Sequence, residues 1–266
     1  MPRRSAASLR ASDAEARRRI ADANVVAAYH VVLAHLEGPD VGYRQFGAVH
    51  AIATGSPAAF FNPVFAIDPG ASADDLPGAV AWVEGRRLPV AVQIWADGDP
   101  TLAHAAEGLG LRADPWLLPV MVLDVIPAEA PPPPPGVTIA VGGAELHDDW
   151  HAGLDAGPIF RGLFGPAVMA DHSVRLACAT VDGAPVAAAA AILGGDAVGI
   201  YAVGTHPDMR GRGIGRAVTS AAMVAGAHAW GLSVAILQSS EIGLPVYRSM
   251  GFEEVGRYLE FERPTV

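Results

Sequence analysis

The chain has 266 residues, 51% of them hydrophobic, with a single Cys; this length suits one large domain or two small ones, and one thiol excludes an intrachain disulfide scaffold and a cysteine-based zinc site. All 18 basic residues are arginine, which excludes lysine nucleophiles and Schiff-base chemistry, and 28 acids leave a net charge of −10. Residues 1–20 hold six Arg and two acids (+4), so the rest hold 12 Arg and 26 acids (−14), an acidic body that repels phosphate backbones and excludes nucleic acid as the expected partner.

The first element expected is a helix. Ser12 and Glu15 have capping-box spacing, Ile20 to Leu36 repeat at helical intervals, and Gly38-Pro39 stops the run. The basic residues around it read as a solvated helix start. Further on, Val64–Ile67 and Pro89–Trp95 read as strands, Ala73–Glu84 and Leu102–Glu107 as helices, and Leu117–Ile126 as an extended apolar run. Pro131–Pro135 cannot join a helix or a central strand and favours polyproline II. It reads as a linker over 128–136, dividing a domain at 1–127 from one at 137–266.

Beyond the linker, Val137–Val141 reads as a strand and Ala144–Leu154 as a helix. Leu176–Val181, Val186–Leu193 and Ala197–Val203 form a meander through the turns Asp182-Gly183 and Gly194-Gly195-Asp196. Ile214–Trp230 is a helix with a broad apolar face, followed by strand Ser233–Leu237, helix Leu244–Met250 and strand Glu254–Phe261. The order implies an α/β (α+β) fold on a mixed, mostly antiparallel sheet flanked by helices. No apolar run reaches the ~20 residues needed to span a bilayer, and Arg17–Arg19 interrupts any secretory leader. A cytoplasmic protein with no membrane partner is expected, in keeping with its single thiol.

Two segments point to chemistry. Arg210-Gly211-Arg212-Gly213-Ile214-Gly215-Arg216 follows a strand and opens a helix. Glycines there let backbone N–H groups approach a ligand, the helix start favours anions, and the arginines add charge, so a pyrophosphate suits the turn. No Gly-Lys-Ser/Thr follows, and the preceding strands are hairpins rather than βαβ units, which excludes a Walker loop and disfavours a dinucleotide fingerprint. The second segment is Ser240 to Phe252, which ends Tyr247-Arg248-Ser249-Met250-Gly251-Phe252, with Tyr247 32 positions after Gly215.

Together these segments resemble the two motifs of the GNAT superfamily of N-acetyltransferases: Arg/Gln-x-x-Gly-x-Gly/Ala after the fourth strand, and a later Tyr-x-x-x-Gly-Phe. The resemblance covers residues 137–262 and implies a GNAT-type fold and acetyl-CoA, or another acyl-CoA, as co-substrate, with no metal. It implies that backbone groups of Val203 and Thr205 bond the pantetheine arm, with Gly204 marking a β-bulge that spreads the fourth and fifth strands. Backbone amides from Gly211 through Gly213, Ile214 and Gly215 to Arg216, beside Arg210 and Arg212, cradle the pyrophosphate. Tyr247 is the acid for the departing CoA thiolate, and Ser240 takes a position where many relatives carry asparagine. A general base is not singled out: Tyr201 occupies the region where relatives often hold an acid, and Glu241, Asp155 and His151 are the nearby candidates.

Plainer readings stand beside these. Tyr247 is also a reasonable core tyrosine, Arg212 and Arg216 reasonable solvated charges, His206 a turn residue, Cys178 an inert buried thiol, and Trp82, Trp95 and Trp150 packing residues. The N-terminal half has no glycine turn, and its Asp97-Gly98-Asp99-Pro100 is acidic. It does share a faint repeat: Glu107-Gly108-Leu109-Gly110-Leu111 before an apolar run, against Ser249-Met250-Gly251-Phe252 before the last strand. Two tandem GNAT-like domains are therefore expected, the first degenerate and without a cofactor site. The function implied is acyl-CoA-dependent N-acylation, most simply acetyl transfer to a primary amine of a small molecule or peptide by direct attack, in a possible homodimer. The alternative is a non-catalytic acyl-CoA-binding regulatory or interaction module.

Overall fold

The structure, a computed structural model, describes residues 14–155 and 157–264; the Ser12 cap and Arg3, Arg4 and Arg10 lie outside them. The first elements in chain order are α1 (Ala14–Leu33), β1 (Gly42–Phe46), β2 (Val49–Ala53), β3 (Pro63–Ala66), α2 (Leu76–Glu84), β4 (Ala91–Trp95), α3 (Pro100–Gly108), β5 (Arg112–Ala113) and β6 (Leu118–Leu123). There follow β7 (Val137–Gly142), α4 (His147–Leu154), α5 (Gly157–Leu163), α6 (Pro166–Met169), β8 (Val174–Val181), β9 (Ala184–Gly194), β10 (Ala197–Thr205), α7 (Ile214–Trp230), β11 (Ala235–Gln238), α8 (Leu244–Ser249) and β12 (Glu253–Glu262). Periodicity does not reveal the β1–β2 hairpin, because β2 is buried at all five positions and so lacks alternation.

The chain forms two units whose limits fall at 31/32, 120/121 and 255/256. The first comprises residues 121–255 and the described chain up to Val31; the second comprises residues 32–120 and the chain from Gly256. The proline run lies inside the first unit rather than at a limit. His228 is hydrogen-bonded through Nε2 to the Ala128 carbonyl at 2.9 Å, and Pro134 packs beside Gly213. The two strands that end the faint repeat are exchanged: most of β12 belongs to the second unit, while Met121–Leu123 of β6 belong to the first.

In the first unit the strand order is β6-β11-β10-β9-β8-β7, antiparallel from β10 to β7 and parallel between β10 and β11. Ala187–Ala191 of β9 are fully buried, and both α4 and α7 pack on this strand. Five alanines let helices approach closely; the Trp150 indole of α4 donates to the Ala189 carbonyl at 2.9 Å. The β8–β9 turn has Asp182 and Gly183 at φ 51° and 81°, both in the left-handed region as a two-residue hairpin requires. α1 contributes Ala21, Val25 and Ala28, at helical spacing, to the buried apolar set.

The second unit has the order β1-β2-β3-β4-β12, with β5 also on β12. α2 and α3 bury Leu76, Val80, Val83 and Leu102 with Val64, Val92 and Phe261 of the strands. β3 and β4 are parallel, as β10 and β11 are in the first unit.

Candidate active site

β10 and β11 stay paired for only three residues, Val198–Ile200 against Ala235–Leu237. Immediately beyond, the register of β10 on β9 shifts between Tyr201 and Gly204, and Ala202 takes φ 48°. An alanine in the left-handed region costs about 1–2 kcal/mol, so the bulge is held by the surrounding sheet and not by local preference. Residues 197–200 are buried whereas 201–205 are half-buried, as expected where two neighbouring strands part. The bulge was expected at Gly204, but the left-handed residue is Ala202. Gly204 is where the ladder resumes, opposite Ala188, and a Cβ on it would lie 2.8 Å from the Leu154 carbonyl oxygen at the end of α4. Val203 packs on the apolar core, and Thr205 pairs with Ala187.

The glycine turn lies where β10 gives way to α7. Gly211 and Gly213 have φ 73° and 78°, and Gly213 is the N-cap residue of α7. No side chain caps the helix, and its first ladder bond runs from Ala217 N–H to Gly213 C=O at 3.1 Å. The N–H groups of Ile214, Gly215 and Arg216 are therefore outside the helical ladder. Gly211 has open space where a Cβ would stand, whereas a Cβ on Gly215 would sit 3.0 Å from Thr205 Oγ1. Arg210 Nε donates to the Thr205 carbonyl at 3.1 Å and ties the turn to the strand end, while Arg212 rests on Met209 Sδ. Arg212 and Arg216 are exposed. This arrangement has the uncapped amides, open backbone and positive charge that a pyrophosphate requires.

On the other side of the parting, α8 carries Tyr247. Its ring meets Phe252 edge-on at 6.0 Å and lies over Gly243, where a Cβ would stand 2.9 Å from the ring. Burial pushes the phenol up to about 12, and its hydroxyl makes no hydrogen bond among the described residues. The Ser239 and Ser240 hydroxyls lie close to the same glycine. Ser240 works as a turn residue: its hydroxyl accepts from Gly243 N–H at 3.2 Å, and its carbonyl accepts from Gly243 and Leu244 N–H at 3.0 Å. Gln238, the last residue of β11, has a buried side-chain nitrogen with no hydrogen-bond partner. It closes an apolar strand, and that lone polar residue was the sequence signal for it.

The base candidates separate clearly. Tyr201 donates its hydroxyl to Asn24 Oδ1 at 2.6 Å, and burial holds its phenol well above the usual value, so it is not a base. His151 is buried against Trp150, bonds the Phe164 carbonyl through Nε2 at 2.9 Å, and is held below the usual histidine range, chiefly by burial. Asp155 ends α4 in the left-handed region and is exposed, as is Glu241. His206 bonds the Ala152 carbonyl at 2.8 Å and fastens α4 to the end of β10. Cys178 is buried, with its thiol pushed up to about 11, again chiefly by burial, and is unreactive. Among the described residues no group of His, Cys, Asp and Glu is arranged to hold a metal, and no helix is long and apolar enough to cross a membrane.

Residues 172–254, from just before β8 to the start of β12, match a family model described as an acetyltransferase (GNAT) domain. Among solved structures, the chain is similar to a GCN5-related N-acetyltransferase from Kribbella flavida, with a TM-score of 0.71 at 21% identity over 94% of this chain and 96% of that one. It is similar over 96% of its length, and 97% of the other, to a tandem GNAT protein from the clavulanic acid biosynthesis pathway, with a TM-score of 0.60 at 15% identity. A GCN5-related N-acetyltransferase from Sphaerobacter thermophilus aligns with a TM-score of 0.55 at 19% identity over 96% of this chain and 94% of that one. At these identities the likeness is one of fold. No curated protein matches the sequence.

Proposed function

We propose that this chain, which carries a GNAT acetyltransferase domain over residues 172–254 in a fold shared with a tandem GNAT protein, transfers an acyl group, most simply acetyl, from acyl-CoA to a primary amine. The observation that carries the reading is the parting of β10 from β11 beside the uncapped start of α7. A slot between strands and an anion seat at its mouth match an elongated thioester with a pyrophosphate. Acetyl-CoA supplies the activated carbonyl.

The chain's own residues do the rest. Backbone amides from Gly211 to Arg216 hold the pyrophosphate, with Arg212 and Arg216 adding charge. The open edges of Val203 and Thr205 take the pantetheine arm as an added strand would, and a backbone N–H at the bulge polarises the carbonyl. Tyr247 presents a hydroxyl that stays protonated throughout the neutral range. A phenol at about 12 is a weaker acid than an alkyl thiol, so full proton transfer to the thiolate is uphill and Tyr247 acts first as a hydrogen-bond donor to the charge growing on sulfur. Ser240, used in its own turn, has a minor part. With Tyr201 locked by Asn24, we assign removal of the amine proton to solvent entering from the acceptor side.

The second unit is read as a degenerate GNAT-like domain. Its acidic Asp97–Asp99 turn caps α3 through Asp99 Oδ1 and Thr101 N–H at 2.9 Å, where an anion seat would need free donors. One acyl-CoA per chain is expected. Titration calorimetry with acetyl-CoA, together with free-thiol release over an amine panel, tests the reading. One site per chain with amine-dependent thiol release supports it, whereas tight binding without turnover of any amine supports a regulatory module instead.

A further inference from the structure

Gln238 holds a donor for which the structure provides no partner. Its Nε2 is buried and unbonded among the described residues. A buried amide left in this condition loses its hydration without compensation, and native proteins rarely keep one without a use. Its place in the fold gives that use. Leu237 pairs with Ile200, so Gln238 stands across from Tyr201, at the point where the two strands stop pairing.

Strand alternation sets its face. Ala235 and Leu237 join the apolar core with Ile214, Val218 and Ala222 of α7. Gln238 therefore lies on the opposite face, the one that carries Tyr201. The proposed pyrophosphate seat belongs to α7, so the Gln238 face is the one left for the acceptor. The other polar groups there are occupied. Asn24 Nδ2 donates to Gly194 and Ala197 carbonyls at 3.0 and 2.9 Å, and Asn24 Oδ1 takes the Tyr201 hydroxyl.

We propose that the Gln238 side-chain amide is a specificity-determining residue that donates a hydrogen bond to an oxygen carried by the acceptor close to its nucleophilic nitrogen. The substrate class is then a small amine with a neighbouring carbonyl, of the α-amino amide type, rather than a plain alkylamine. A site built around an unpaired donor discriminates against an analogue that lacks the matching oxygen, because that analogue leaves the donor buried and unbonded. The inference rests on the N-acyltransferase reading above.

The test uses the full chain with acetyl-CoA and a matched pair of acceptors, glycinamide and propargylamine, whose amines are of similar basicity and of which only the first carries an oxygen. The parent protein should prefer glycinamide in kcat/KM by about 10- to 100-fold, the range that one such donor supports. Gln238→Leu should bring that ratio to within about threefold, while keeping the CoA-induced rise in Tm and leaving the melting temperature of the free protein equal or higher. A parent without the preference, or a preference that survives in Gln238→Leu, overturns the proposal and leaves the acyltransferase reading intact. A parent that turns over neither amine, nor any amine of a wider panel, overturns both.

Discussion

Asn24 and Tyr201, 177 residues apart, share a 2.6 Å hydrogen bond in which the phenol donates to Asn24 Oδ1. The same asparagine, fully buried on α1, donates to the carbonyls of Gly194 and Ala197 at the β9–β10 turn. One side chain thus fastens the N-terminal helix to the strand that bulges at the candidate site. Gly199 leaves room for it, since a Cβ there would collide with Asn24 Oδ1.

Removing that fastening should be costly. Asn24→Ala leaves two carbonyls and a phenol unpaired and is expected to lower stability by about 2–4 kcal/mol in urea denaturation. Tyr201→Phe removes one donor and should cost about 1 kcal/mol. The double variant should fall short of the sum, because both changes break the same bond. Full additivity would show that the bond contributes nothing.

Gly213 tests the anion seat. At φ 78° it begins α7, and a β-branched residue is strained there. Gly213→Val should lower the melting temperature of the free protein by several degrees and abolish the rise produced by CoA. An undiminished CoA-induced rise would move the pyrophosphate elsewhere.

Tyr247→Phe keeps the ring against Phe252 and removes only the hydroxyl. Acyl transfer should fall by roughly 10²–10³-fold, the loss expected for one donor to developing charge, with CoA affinity nearly unchanged. Because burial holds the phenol at about 12, the parent's rate should show no loss from this group up to about pH 10. Activity of the variant within about twofold of the parent would remove Tyr247 from the reaction.

Glu260 makes the second unit sensitive to pH. Burial pushes its carboxyl up to about 7, against the pull of the Gln93 Nε2 donor at 2.5 Å, with Glu262 and Asp114 adding to the rise. The folded state therefore binds this proton more tightly than the unfolded chain, whose glutamate titrates near 4.3. The contribution is complete below about pH 4.3 and is lost as pH climbs through about 7, a change of roughly 4 kcal/mol. Glu260→Gln should flatten the decline in melting temperature between pH 5 and 8. Parallel curves for the two proteins would place the titration on other groups.

Much of this was legible in the chain itself. The Asp182-Gly183 hairpin, the limits of α7 between Gly213 and Gly231, and the Tyr247–Phe252 segment follow from local chemistry, because turns at positive φ and helix ends are set within a few residues. The left-handed backbone of the glycine turn at Gly211 and Gly213 likewise followed from residue type and spacing alone. Other features were decided only in three dimensions. Ala202 carries no local preference for the left-handed region; the ladders on β9 and the early end of pairing with β11 impose it. The exchange of β6 and β12 between units, the capture of the proline run by the first unit, and the docking of Asn24 depend on pairing between residues tens to hundreds of positions apart. No window of sequence contains both partners of such a pair. Gln238 shows the same division: its identity was plain, but its buried, unbonded amide exists only once β11 ends beside the bulge of β10.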